Sequence, residues 1–143
     1  MSIQNAPGIA GRGAGETVLV LETDRERLLR HEEVLAALGY EPVGFTSSTE
    51  AAEACRAARA RFDAVLICHQ PGTSSALDFA TLLHRIAPTL PIILATPSAR
   101  DLGAPVLAAS GIFGVVRHPL TSAELSGVLS RCVAAPTVPL LQS

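Results

Sequence analysis

Four side chains that could take part in chemistry each follow a short apolar run: Glu22, Cys68, Thr96 and His118. If these runs are neighbouring parallel strands, their ends meet at one edge of the sheet, which would bring Glu22, Cys68 and His118 together. A thiol, an imidazole and a carboxylate suit Zn²⁺ better than Mg²⁺. An adjacent imidazolium would also lower the pKa of the thiol and favour its oxidation. The three residues therefore predict a metal or redox site.

Each of these residues also has a structural interpretation. A cysteine at the end of a buried strand is more often an inert small hydrophobe than a reactive thiol. Glu22 could favour the start of a helix through the helix dipole, and Thr96 could bond within its own turn. On this interpretation His118 bonds to backbone. The remaining cysteines and histidines are then packing or partly buried structural residues: Cys55, Cys132, His31 and His84.

Other catalytic patterns are missing from the sequence. It contains no glycine-rich phosphate loop and no Ser-His-Asp spacing, and the residues after the first apolar run, Glu22 to Arg27, are charged where a dinucleotide fold has glycines. A cysteine and a histidine alone do not make a hydrolase, because the base must be positioned by a third group. We expect no enzymatic activity and no cofactor.

Five apolar segments have the composition of buried parallel strands, at residues 17–21, 42–45, 62–67, 91–95 and 115–116. Helical spacing or capping patterns separate them. Capping boxes begin at Thr23, Ser47 and Thr121, and Gly39 marks the end of the first helix. Gly103 and Pro105 predict that the fourth helix, between residues 100 and 110, is short or loosely formed unless Pro105 occupies its first turn.

Strict alternation of strand and helix predicts an α/β fold with right-handed crossovers and helices on both faces of the sheet. We expect a three-layer, doubly wound parallel sheet of the flavodoxin-like (βα)5 type, with strand order 2-1-3-4-5. One domain is predicted over residues 16–134. Residues 1–15 predict a flexible lead or linker, and 135–143 a mobile tail.

Composition limits the cellular environment and the classes of binding partner that we expect for the chain. The chain has 143 residues, 48% of them hydrophobic and only 3% aromatic, so a single aliphatic core is expected. A net charge of -2 lacks the basic excess that nucleic-acid binding needs. No apolar run is long enough to span a membrane or to resemble a signal peptide, and three widely spaced cysteines do not make a disulfide framework. These features predict a cytoplasmic protein with reduced thiols.

The residues resemble a known family, the receiver domains of two-component response regulators and hybrid histidine kinases. The resemblance covers about residues 16–134. The segments that carry it are residues 16–24 (ETVLVLETD), 38–41 (LGYE), 62–67 (FDAVLI), 90–96 (LPIILAT), 118–120 (HPL) and 124–125 (EL). The GETVLV segment is similar to the start of receivers fused to the C-terminus of sensor kinases, so the leading residues resemble an interdomain linker.

The chain departs from this family at the phosphorylation pocket. The resemblance implies an aspartate at the end of the third strand, where Cys68 stands, and a pair of acidic residues, where Glu22 and Thr23 stand. His118 replaces the family's lysine, and Thr96 alone keeps its expected type. A thiol supplies neither the carboxylate nucleophile of an acyl phosphate nor a hard oxygen ligand for Mg²⁺.

The resemblance therefore implies a pseudo-receiver that cannot be phosphorylated and that binds a signalling protein, possible partners being a sensor histidine kinase or a second copy of the chain. The alternative is a cysteine- and histidine-based metal or redox sensor on the same fold. In receivers the fourth helix, fifth strand and fifth helix commonly form the partner face, which corresponds to residues 104–133. The apolar residues expected to serve docking there are Val106, Leu107, Ile112, Phe113 and Leu120.

Overall fold

Strands and helices alternate along the chain in the computed structural model, which describes residues 13–68, 75–97, 103–117 and 120–134. The strands are β1 (Thr17–Leu21), β2 (Glu41–Phe45), β3 (Ala64–Cys68), β4 (Ile92–Thr96) and β5 (Ile112–Arg117). The helices are α1 (Arg25–Ala37), α2 (Ser48–Ala57), α3 (Ser75–Ile86), α4 (Ala104–Ala109) and α5 (Ser122–Ala134), and a single 3₁₀ turn (Arg59–Arg61) follows α2.

The five strands form one parallel sheet in the order β2-β1-β3-β4-β5, which confirms the predicted flavodoxin-like topology. β1 lies between β2 and β3, with Leu21 opposite both Phe45 and Ile67. β2, which contains Pro42, and β5 are the two edge strands. The carboxyl ends of β1 and β3 are therefore adjacent, and they place Glu22 and Cys68 at the same edge of the sheet.

Alternate residues of each strand face opposite sides of the sheet and bury two aliphatic layers. Leu19 and Leu21 pack in the layer beneath α2 and α3, whereas Val18 and Val20 pack in the layer beneath α1 and α5. The central strands are buried on both faces, as the uninterrupted apolar runs predicted. No helix in the described ranges is long and apolar enough to cross a membrane.

Several boundaries differ from the sequence expectations. The N-cap of α1 is Asp24, whose side chain accepts from the Arg27 N–H at 3.0 Å, so the prediction that Thr23 caps this helix is wrong. Ser47 and Thr121 do cap their helices, each at 3.3 Å. β5 begins at residue 112 rather than 115, and α2 ends at residue 57 rather than near 60.

Candidate functional site

Glu22 leaves the end of β1 as a buried carboxylate with an exposed fraction of 2%. Its backbone N–H donates to the Phe45 carbonyl at 3.1 Å, which continues the pairing of β1 with β2 and turns the side chain toward α1. Removing a carboxylate from water costs several kcal/mol unless charges or hydrogen bonds replace the solvent. The partners of Glu22 therefore define the site.

Three residues of the segment that follows β1 contribute to that compensation. The Asp24 N–H donates to Glu22 Oε2 at 3.0 Å. The Arg27 guanidinium donates from Nε to Oε1 at 3.3 Å and from Nη2 to Oε2 at 3.4 Å. His31 Nε2 lies 3.3 Å from Oε1, and His31 is itself only 5% exposed. Arg27 and His31 are one helical turn apart on α1, so the same helix face presents both side chains to Glu22.

The charge of Glu22 is stabilised in place. Burial alone would raise the pKa of this carboxyl group, but the Asp24 N–H and the Arg27 guanidinium outweigh burial and leave the pKa below its ordinary value. The same contact raises the pKa of Arg27. At neutral pH the site therefore contains an ionised carboxylate paired with a guanidinium.

Cys68 is the last residue of β3 and is half-buried beside Glu22. Burial, followed by the negative charge of Glu22 and a hydrogen bond to it, raises the pKa of the Cys68 thiol far above its ordinary value. The thiol is therefore protonated at neutral pH. The expected lowering of this pKa depended on the imidazolium of His118, which lies outside the described residues.

Glu22, His31 and Cys68 bring one carboxylate oxygen, one imidazole nitrogen and one sulfur within 4.8 Å of one another. The sequence placed Glu22 and Cys68 together from the strand order, but it assigned His31 only a structural role. The signal that could have found His31 is its spacing, because it lies one helical turn after Arg27 on the same face of the predicted helix.

The other predicted pocket residues take separate places. Thr96 is fully buried at the end of β4, opposite Arg117 in the register. Thr23 is exposed and lines a cavity of about 490 Å³ together with Cys68 and hydroxyl-bearing residues from the β2–α2 connection. Asp24, the further acidic residue after β1, is occupied as the cap of α1.

The predicted docking residues are less exposed than expected. Leu107 and Ile112 pack partly against one core layer, and Leu120 packs partly against the other. The Val106 side chain lies outside the described part of the structure. Phe113, on β5, is 44% exposed. Leu29 on α1 was not among the predicted docking residues; it is 53% exposed and lies on a different element from the predicted face.

Comparison with solved structures supports the receiver fold. A response regulator receiver domain from Clostridium thermocellum is similar to this chain with a TM-score of 0.75 at 21% identity, covering 87% of this chain and 98% of that one. A CheY-like receiver domain from Methylobacillus flagellatus gives 0.69 at 24% identity, covering 82% and 98%. Chemotaxis protein CheY4 of Vibrio cholerae gives 0.70 at 20% identity, covering 83% and 99%.

These likenesses confirm the resemblance to receiver domains as one of fold. Sequence comparison identifies the family directly, because the family model described as flagellar regulatory protein FleQ matches residues 17–134. That match runs from the first residue of β1 to the end of α5. The chain is therefore a member of the flagellar regulatory protein FleQ family, with the fold of a response regulator receiver domain.

Proposed function

We propose that this chain is a receiver-like regulatory module that does not accept a phosphoryl group and acts by binding another signalling protein. The observation that carries the proposal is Cys68, a protonated thiol at the end of β3, where the receiver resemblance requires an aspartate. An acyl phosphate forms on a carboxylate oxygen, which Cys68 does not have.

The surroundings of Cys68 support the same proposal. In receiver domains, transfer of a phosphoryl group to the aspartate depends on acidic side chains that hold Mg²⁺. This ion takes oxygen ligands in octahedral geometry. Here Glu22 is already neutralised by Arg27, and the Asp24 carboxylate caps α1. Mg²⁺ would have to displace Arg27 from Glu22 or break the cap of α1, and at the end of β3 it would meet the sulfur of Cys68 instead of a carboxylate oxygen.

The proposed partner is a signalling protein, with a sensor histidine kinase or a second copy of this chain as the first candidates. The family description, a flagellar regulatory protein, identifies flagellar regulation as the process in which to seek that partner. A role in the cytoplasm and the lack of enzymatic activity are parts of the same proposal. We place the contact at β5, where Phe113 exposes an aromatic side chain.

Phosphorylation is tested by intact-mass spectrometry. The protein is incubated with acetyl phosphate and Mg²⁺, and separately with candidate kinases, beside a receiver that has the usual aspartate as a control for the reagents. We expect the control to gain a phosphoryl group and this chain to gain none. A stable phosphorylated form of the wild-type protein would overturn the proposal.

Docking is tested with Phe113→Asp, and Leu29→Asp serves as the matched control because it places the same charge at an exposed apolar position on α1. Both variants should keep cooperative unfolding. We expect Phe113→Asp to abolish capture of purified sensor-kinase candidates or self-association in sedimentation, and Leu29→Asp to preserve it. If both variants, or neither, lose binding, the contact does not lie at β5.

A further inference from the structure

We propose that Glu22, His31 and Cys68 form a Zn²⁺ site. The three donors come from the residue after β1, from α1 and from the end of β3, so an ion bound there would connect the first strand and helix to β3, which lies further along the chain. The set differs from the one expected from the strand ends, because the described histidine is His31 of the helix rather than His118. The inference goes beyond the proposed function, since it requires neither a partner nor the loss of phosphorylation.

The distances between the ligand atoms suit tetrahedral coordination of an ion. Zn²⁺ binds nitrogen and oxygen at about 2.0–2.2 Å, which separates two such ligands by about 3.4 Å along a tetrahedral edge. His31 Nε2 and Glu22 Oε1 are 3.3 Å apart. All three ligand atoms lie within 4.8 Å of one another, so an ion that binds them must draw the Cys68 sulfur closer to the other two.

The donor types select the metal. Thiolate sulfur and imidazole nitrogen are ligands of Zn²⁺, whereas Mg²⁺ takes oxygen. The Cys68 thiol therefore releases its proton to solvent as the Zn–S bond forms. The two buried donors, Glu22 and His31, are only 2% and 5% exposed, which lowers the competition from water. The Asp24 N–H holds the second carboxylate oxygen of Glu22 at 3.0 Å, and such contacts orient a metal ligand from outside the coordination sphere.

Arg27 occupies the carboxylate when no ion is bound. Its side chain is 35% exposed, so the guanidinium can move into solvent and give up Glu22 Oε1 to an incoming cation. The two cations compete for one carboxylate, and the ion would take over the charge compensation that Arg27 provides. We therefore expect Arg27→Gln to bind Zn²⁺ at least as tightly as the wild-type protein does.

The cavity beside Cys68 gives an ion a route to the site. It has a volume of about 490 Å³ and is lined by Thr23, Cys68 and several hydroxyl groups. Three protein donors leave one tetrahedral position for a water molecule, which could enter from this cavity. A site with three protein ligands and an open position exchanges its ion more readily than a closed site with four.

The test is a titration of the full chain, freed of metal with EDTA and then dialysed, with Zn²⁺ followed by calorimetry and by thermal unfolding. Co²⁺ serves as the spectroscopic probe. We expect one ion per chain, a raised unfolding temperature and a thiolate-to-Co²⁺ charge-transfer band. His31→Gln and Cys68→Ser should each weaken Zn²⁺ binding at least about tenfold, because losing a ligand costs no less than losing a residue that orients one.

Matched controls are His84→Gln, which removes an exposed imidazole on α3, and Cys55→Ser, which removes a buried thiol on α2. Both should retain wild-type Zn²⁺ affinity. The proposal is overturned if the wild-type chain binds no stoichiometric Zn²⁺, if Cys68→Ser binds Zn²⁺ as tightly as the wild-type chain does, or if Co²⁺ gives no thiolate band. The Co²⁺ spectrum uses only the wild-type protein, so a variant that fails to fold does not weaken the test. The outcome of the Zn²⁺ experiments does not affect the phosphorylation experiment, because phosphorylation is measured as added mass.

Discussion

All three cysteine thiols share one electrostatic property, which is that burial raises the pKa of each. The direction is the same for Cys55 on α2, Cys68 on β3 and Cys132 on α5, although their neighbours differ. A thiol has no charge to lose when it is buried, whereas a thiolate would lose its hydration. The native protein therefore favours protonated thiols, and its stability should decline at alkaline pH.

Cys132 allows this decline to be measured, because burial raises its pKa to about 12 and its side chain is fully buried. The thiol of the unfolded chain ionises near pH 8.5. Its contribution to stability is complete below that pH and is lost as the pH rises toward the folded-state pKa. From pH 7.5 to 10 the loss for one such thiol is about 2 kcal/mol.

We therefore expect Cys132→Ala to lose about 2 kcal/mol less than the wild-type protein over this pH interval. The measurement is urea unfolding at both pH values in EDTA. Val128→Ala is the control, since it truncates the same buried face of α5 without removing a titratable group, and it should keep the full pH dependence. Equal losses in all three proteins would show that the Cys132 thiol does not set the alkaline limit.

Only some of the contacts in the site could be predicted from the sequence. Glu22 and Cys68 follow strands that the topology makes neighbours, so their proximity could be predicted from the order of the elements. The contact of His31 could not, because it depends on how α1 is rotated about its axis above the sheet. The pairing of Arg27 with Glu22 depends on the same rotation.

Two adjacent residues are candidates for the N-cap of α1. Thr23 and Asp24 both precede the helix, and the Thr23-x-x-Glu26 pattern favoured the threonine. In the structure the Asp24 N–H is held by Glu22, and the Asp24 carboxylate accepts the Arg27 N–H. The choice is therefore made by a contact with the end of β1, which a helix pattern read alone does not contain.

We expect Asp24→Ala to lower the free energy of unfolding by about 1 kcal/mol, because the Arg27 N–H loses its acceptor. Thr23→Ala should change it by no more than a few tenths of a kcal/mol, since an exposed substitution outside a cap is usually neutral. Chemical denaturation of the two variants at neutral pH distinguishes them. A larger loss of unfolding free energy in Thr23→Ala than in Asp24→Ala would show that Thr23 is the N-cap.

β5 is longer than its sequence indicated because two glycines permit it. Gly111, with φ of +75°, ends the turn after α4, and the strand begins at the next residue. Gly114 lies where a side chain would meet Val128 of α5 at 2.9 Å, beside an irregularity in the pairing with β4. Glycine breaks an apolar run, so the sequence predicted only Val115 and Val116 as a strand.

Across the whole molecule, the alternation of apolar runs and capped helices was sufficient to predict a parallel sheet with right-handed crossovers. The order 2-1-3-4-5 follows from the flavodoxin-like type, because other doubly wound sheets obey the same handedness rule. The N-terminal boundary at residue 16 stays a prediction. Gly13 and Gly15 donate their N–H groups to the Leu38 and Gly39 carbonyls at 2.7 and 2.8 Å, ahead of the predicted start at residue 16. A glycine-rich composition reads as linker even where the backbone is hydrogen-bonded.

These contacts predict different stabilities for two fragments. A fragment of residues 13–134 should unfold cooperatively with nearly the stability of the full chain. One of residues 16–134 should be less stable by roughly 1–3 kcal/mol, because two backbone hydrogen bonds are lost and the buried Tyr40 ring loses its cover by Gly13. Urea unfolding of both fragments tests the boundary, and equal unfolding midpoints would support residue 16 as the start of the domain.

Pro42 in β2 has a consequence for how copies of this chain can associate. Proline has no N–H, and within sheets it is found on outer strands, where it leaves a further strand one donor short. β5 contains no proline from Ile112 to Arg117, so continuation of the sheet into another molecule is favoured on that side. With only one such edge, growth by strand addition would end at a closed pair and would not proceed to a filament.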